Sequence, residues 1–358
     1  MGLSFYKGKK IFVTGHTGFK GSWLCRILLN AGADVYGFSL SPNTEPALFD
    51  LLKIEKEIHH TVGDIRDYEA LLSAFKRAAP DFAIHLAAQP LVLESYKNPA
   101  YTYETNVMGT VHILECIRNT DTVKSFLNVT TDKVYENKEW IFGYRENDRL
   151  NGFDPYSNSK SCSELVTESY QHSFFKDKGA AISTARAGNV IGGGDFAENR
   201  IIPDCVRAAL RGETITIRNP NAVRPYQHVL EPLFAYLLIL QKQAENVNLA
   251  GSYNIGPDEK DCLTTKALAE IFIREWGGNL GYQLIGTTNE TSCEAPNEMH
   301  ESGMLRLDCA KLKTIFKWRP RYDIYEAVRK TVSWTKAYQN GENLLAVMDK
   351  QIAGYGEK

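Results

Sequence analysis

At 358 residues the chain is too long for one small core and comfortable for two packed domains. Its composition, 43% hydrophobic and 23% charged, is that of a soluble globular enzyme, and 41 basic against 43 acidic residues exclude an electrostatic footprint for nucleic acid or an anionic membrane. Seven cysteines (Cys25, Cys116, Cys162, Cys205, Cys262, Cys293, Cys309) stand apart without a CxxC pair, which points to reduced thiols in a cytoplasmic protein and away from any metal site.

The first ten residues lack the apolar stretch of a secretory signal, and no apolar run approaches the roughly 20 residues that cross a bilayer. From there, β-type runs alternate with helical patterns. Strands are expected at 10–14, 34–38, 60–63, 82–86, 125–129 and 181–185. Helices are expected at 19–31, 67–79 and 99–118, and from Pro155 onward. This alternation predicts a doubly wound parallel α/β sheet of Rossmann type, with ligands outside the carboxyl ends of its strands. Beyond about residue 188 the pattern changes to helices at 200–211, 231–244, 264–276 and 322–338, short strands at 214–217 and 252–255, and a loop at 220–225. The expected division is a dinucleotide-binding domain at 1–187 with returning segments at about 226–257. A smaller C-terminal α/β substrate domain then takes 188–225 and 258–340.

Gly15-His-Thr-Gly18-Phe-Lys-Gly21 follows the first strand and opens the first helix. Glycines at such a junction let the backbone turn tightly and approach a pyrophosphate, which the helix N-terminus then holds. Asp64-Ile65 follows the third strand, Leu86-Ala87-Ala88 the fourth, and Thr105-Asn-Val-Met-Gly-Thr110 lies on the next helix. Together these segments resemble the extended short-chain dehydrogenase/reductase family. The resemblance implies a dinucleotide held by Gly15, Thr17, Gly18, Phe19, Lys20 and Gly21, with Asp64 and Ile65 at the adenine and Leu86, Ala87 and Ala88 beside the cofactor. The acidic ribose ligand usual after the second strand is missing from Phe38-Ser-Leu-Ser41, and no arginine cluster for a 2′-phosphate replaces it, so NAD is favoured over NADP.

Tyr156-Ser-Asn-Ser-Lys160 opens a helix capped by Asp154, with Pro155 in its first position. Spacing of four puts the phenol and the amine on one face. An ammonium and an oxidised nicotinamide nearby should both favour phenolate, so that the pair can take a hydroxyl proton as hydride leaves the same carbon.

Val129-Thr-Thr131-Asp132-Lys133-Val-Tyr135 closes the fifth strand, where active-site side chains emerge in such sheets. Sugar-nucleotide 4,6-dehydratases carry Thr-Asp-Glu there, with Asp as acid and Glu as base. Lys133 in place of Glu resembles the cytidine-linked branch, as do 143–147, 154–160, 186–195 and 224–232. The resemblance implies an NAD-dependent hydro-lyase that converts CDP-D-glucose to CDP-4-keto-6-deoxy-D-glucose. The steps are oxidation at C4, loss of water across C5 and C6 with Asp132 and Lys133 as acid and base, and return of hydride to C6.

For the substrate diphosphate, Arg224 and Asn189 come first and Arg200 and Arg218 second, with Gln89 placed either to contact the sugar or to cap its loop. The helices at 99–118 and 155–175 resemble the pair that forms the family's homodimer. A 4-epimerase, sharing Tyr156, Lys160 and NAD but needing no base at C5, and a silent cofactor sensor are the competing readings.

Overall fold

The computed structural model describes residues 2–176, 178–285 and 303–357; Cys293 and the stretch 286–302 of the expected substrate domain lie outside these. Seven parallel strands form the main sheet: β1 (Lys10–Thr14), β2 (Asp34–Ser39), β3 (His59–Val62), β4 (Phe82–His85), β5 (Ser125–Val129), β6 (Ala181–Ala187) and β7 (Ser252–Ile255). Their order across the sheet is β7-β6-β5-β4-β1-β2-β3. Chain order reverses between β1 and β4, where Ile11 pairs with Phe82, and the crevice of a doubly wound sheet opens at that point. Both β5 and β6 are buried at every position, as strands covered on two faces must be.

One face is covered by α1 (Phe19–Asn30) and a long late helix, Leu230–Glu245, whose Leu233, Leu237 and Leu240 pack in one core with Trp23, Leu24, Ile27 and Leu28. The other face carries Tyr68–Ala78 and Gly109–Arg118, with Phe75, Ile113 and Ile117 against Phe12, Phe126 and Ile182. On that same side runs α2 (Pro155–Tyr170), continued as a π-helix over Gln171–Phe175. A third core joins the helices Ile201–Arg211, Thr265–Trp276 and Ile324–Gln339 through Ile202, Val206, Leu268, Phe272, Val328 and Val332.

The expected loop at 220–225 is corrected. Val223–Pro225 is a strand, antiparallel to Cys262–Thr264. Arg and Pro hide it from propensity, but a partner strand supplies the pairing. The expected helix at 99–118 is helical throughout, with a π-helical segment at Glu104–Met108. That segment turns Asn106 inward, where it donates to Gln89 O at 3.1 Å and Ser159 Oγ at 2.9 Å. A final helix, Leu344–Glu357, docks Met348, Ile352 and Tyr355 onto the first core, and Asp349 accepts from Arg26 Nε at 2.7 Å. Among the described residues no helix is long and apolar enough to cross a membrane.

Candidate active site

Gly15 turns the chain out of β1 at φ +73°, and a Cβ there would stand 2.6 Å from Ala87 N. A Cβ on Gly21 would meet Gly15 O at 2.2 Å. These two glycines hold the turn closed against β4 and against itself. Gly18 differs: a Cβ there would meet only Gly15 O, at 3.5 Å, so the space it leaves is outside the protein. Gly18 is also the N-cap of α1 and offers no side-chain acceptor to the first-turn N–H groups. Those donors suit a diphosphate.

Thr17 Oγ1 bonds Ser39 Oγ at 2.9 Å and donates to Leu40 O at 2.8 Å, at the end of β2 where an acidic ribose ligand would otherwise stand. Asp64 is gripped by Arg66, with Nη2 at 2.7 Å, and this hydrogen bonding holds its carboxyl below the usual range. Ile65 is buried, and Leu86, Ala87 and Ala88 line the exit of β4.

Asp154 caps α2 by accepting from Ser157 N at 2.9 Å, which fixes the helix start one residue before Tyr156. Tyr156 and Lys160 are both buried. Lys160 Nζ donates to Val129 O at 3.3 Å, at the last residue of β5. Burial pulls Lys160 down to about 8, opposed by the charge of Glu164. In the protein without its cofactor, burial pushes the Tyr156 phenol up to about 12, and hydrogen bonding with Thr131 offsets part of this.

Beside the pair, Thr131 Oγ1 donates to Asp132 Oδ1 at 3.0 Å, and Lys133 Nζ lies 3.3 Å from the same oxygen. Asp132 is 1% exposed, and its Oδ2 has no partner among the described residues. Lys133 is 26% exposed at its side chain. Lys20 reaches into this neighbourhood, 5.9 Å from the Tyr236 ring centroid. Burial, with repulsion from Lys160 and Arg200, pushes it down to about 7 against the pull of Asp132.

Asn189 follows β6 with a buried Oδ1 that has no partner among the described residues. Arg200 holds Asp195 at 3.2 Å, and its charge reaches Tyr156 and Lys20. Arg224 is buried on its short strand and donates to Val223 O at 3.0 Å. Arg218 is half exposed and held by Asn199 and Asp204. Gln89 caps its loop: its amide nitrogen donates to Leu91 O at 3.1 Å and Thr102 Oγ1 at 2.9 Å, and its oxygen accepts from Leu91 N. That arrangement spends both amide hydrogens inside the protein.

The family described as GDP-mannose 4,6 dehydratase matches residues 12–331. The chain belongs to that family. Within it, the chain is 41% identical over 358 residues to the CDP-glucose 4,6-dehydratase of Salmonella typhimurium, covering 98% of this chain and 97% of that one. A dTDP-glucose 4,6-dehydratase from Streptomyces venezuelae, solved with NAD and TYD bound, superposes with a TM-score of 0.75 at 24% identity, over 94% of this chain and 99% of that one. A UDP-glucose-4-epimerase from Stenotrophomonas maltophila, solved with NAD, reaches 0.77 at 19% identity over 93% and 99%. The two structures show the shared fold, which serves both reactions equally well.

Relative to the motifs that mark this 4,6-dehydratase family, the structure adds three side chains that spacing did not single out. Tyr236, buried on the late helix that covers the opposite face of the sheet, is pushed up by burial and by its coupling to Tyr156. Buried His85, held near 3 by desolvation and by the Lys160 charge, accepts or donates to Thr14 Oγ1 at 2.7 Å. Glu164 lies four residues beyond Lys160, a spacing that could have been read from the sequence.

Proposed function

We propose that this chain is an NAD-dependent sugar-nucleotide 4,6-dehydratase that converts CDP-D-glucose to CDP-4-keto-6-deoxy-D-glucose. One observation carries the reading: the buried Tyr156–Lys160 pair on α2 stands at the end of β5 near an Asp132 carboxyl group, one oxygen of which has no partner among the described residues. An epimerase needs the first pair alone. An elimination also needs an acid for the C6 hydroxyl and a base for the C5 hydrogen. The 41% likeness to a CDP-glucose enzyme and the Lys at position 133 support cytidine as the base.

NAD, when bound, supplies the two-electron acceptor that takes the C4 hydrogen and gives it back at C6. The first-turn N–H groups of α1 with Gly15, Gly18 and Gly21 hold its diphosphate, joined by Thr17, Phe19 and Lys20, with Asp64 and Ile65 at the adenine. Tyr156 receives the O4 proton, and Lys160 supports the phenolate that this requires. The new ketone acidifies C5. Lys133, acting as the neutral amine, then takes the C5 proton while Asp132, acting as the protonated acid, delivers one from Oδ2 to the departing C6 oxygen as the C6–O bond breaks, and Thr131 orients Asp132.

Arg224, Arg200 and Asn189 hold the substrate diphosphate, with Arg218 at the outer edge. The cofactor is served by 1–187 and about 226–257, and the substrate by 188–225 and 258–340. Exposed Met108, Leu165 and Phe174, on the helical segments at 99–118 and 155–175, support a homodimer joined through those helices. The setting is cytoplasmic. Mass spectrometry of the product from CDP-glucose tests the reading: loss of one water with an alkali-absorbing 4-ketone is expected, and an isomer of unchanged mass contradicts it.

A further inference from the structure

Tyr156, Lys160 and Glu164 follow one another at intervals of four on a single face of α2. The Glu164 carboxylate is 2% exposed. One of its oxygens accepts from Thr130 Oγ1. The other accepts from Thr184 Oγ1 at 2.6 Å and Arg186 Nη2 at 2.9 Å, both on β6. Thr130 sits between Val129, whose carbonyl receives Lys160, and Thr131, which donates to Asp132. A single buried carboxylate therefore ties the helix bearing the phenol and amine to the strand end bearing the acid, and to the neighbouring strand.

A fully buried ion pair is a poor device for stability alone, since apolar residues of similar volume serve as well or better. Here the arginine is itself anchored, donating to Tyr135 Oη at 2.9 Å and Glu146 O at 2.8 Å. The pair is anchored on both sides, and its carboxylate stands one helical turn from the amine.

We propose that Glu164 is a positioning residue, which registers α2 against the ends of β5 and β6 and supplies the counter-charge for the Lys160 ammonium. This rests on the reading of Tyr156 and Lys160 as the reacting pair. The charged and titratable groups coupled to Lys160 are Glu164 from its own helix, Lys20 from α1 and His85 from β4; Tyr156 stands one turn back on the same face, and Arg200 and Asp132 act on Lys20 beside it. Burial lowers Lys160 and Glu164 opposes that lowering. Removing the carboxylate lowers Lys160 further, so the ammonium is lost at a lower pH, and with it activity.

The test is the pH profile of kcat/KM with CDP-glucose for the wild type, Glu164→Asp, Glu164→Gln with Arg186→Met, and Tyr156→Phe. The double variant removes both buried charges together, so no unpaired arginine is left behind. Its alkaline limb should move down by about one pH unit. Glu164→Asp keeps the charge on a shorter arm, so its limb should stay in place while kcat falls about tenfold. A double variant with the wild-type profile overturns the inference. Should thermal melting show the double variant unfolded, the Asp variant decides, and an unchanged kcat overturns the proposal. Turnover retained by Tyr156→Phe would instead overturn the reading beneath it.

Discussion

Beside Tyr156 the amines Lys160 and Lys20 form no direct ion pair among the described residues, whereas the arginines proposed for the diphosphate already hold partners. Lys160 donates only to a carbonyl, and Lys20 has no hydrogen-bond or ion-pair partner among the described residues. Arg200 holds Asp195, and Arg218 holds Asp204. Groups that must move protons gain from desolvation, because it brings an amine toward neutrality. Groups that must catch a phosphate gain from replaceable partners, which keep them aimed without fixing their charge state.

The largest expected effect tests the first half of that contrast. Tyr156→Phe should lower turnover about a thousandfold with thermal stability almost unchanged, since only a phenolic oxygen is lost. A loss below about tenfold would remove Tyr156 from the chemistry. Next, Lys133→Ala should block elimination while sparing oxidation at C4. Reduced cofactor should then accumulate in a single turnover, seen by its near-ultraviolet absorbance, and unchanged overall turnover would remove Lys133 from the base role.

The diphosphate side should respond more mildly. Arg224→Lys keeps the charge but loses the planar fork, and should raise KM about tenfold with kcat preserved. A fall in kcat with KM unchanged would move Arg224 to the reacting end.

The smallest effect concerns Lys20. Its charge is present below about 7 and lost as pH rises through that value. Dinucleotide binding, measured by calorimetry, should weaken about threefold to tenfold as pH rises from 6 to 8, and Lys20→Met should flatten that dependence. The same slope in the variant would assign the titration to another group.

The strands of the main sheet were legible because buried parallel strands are short, mostly apolar runs, as at Lys10–Thr14 and Ser125–Val129. Tyr156 and Lys160 were legible because helical spacing and an Asp154 cap are local properties. Val223–Pro225 was not, since its strand character comes from a partner at Cys262–Thr264 some forty residues away in the chain. The final helix Leu344–Glu357 was missed too, although it closes the first core. Lys20 was read as a cofactor contact from its place in the glycine turn. Its near-neutral amine depends on burial and on the charges of Lys160 and Arg200, neither of them near it in sequence. Gln89 was left between sugar and loop, and only the positions of Leu91 and Thr102 show where its amide is spent.

The central claim is that oxidation at one sugar carbon and reduction at another occur in the same closed site. CDP-glucose carrying deuterium at C4 tests it most directly, with the product read by mass spectrometry and NMR. The account predicts the label at C6 of the same sugar molecule, in a 4-keto-6-deoxy product. Label that remains at C4, or that escapes to solvent, would contradict it.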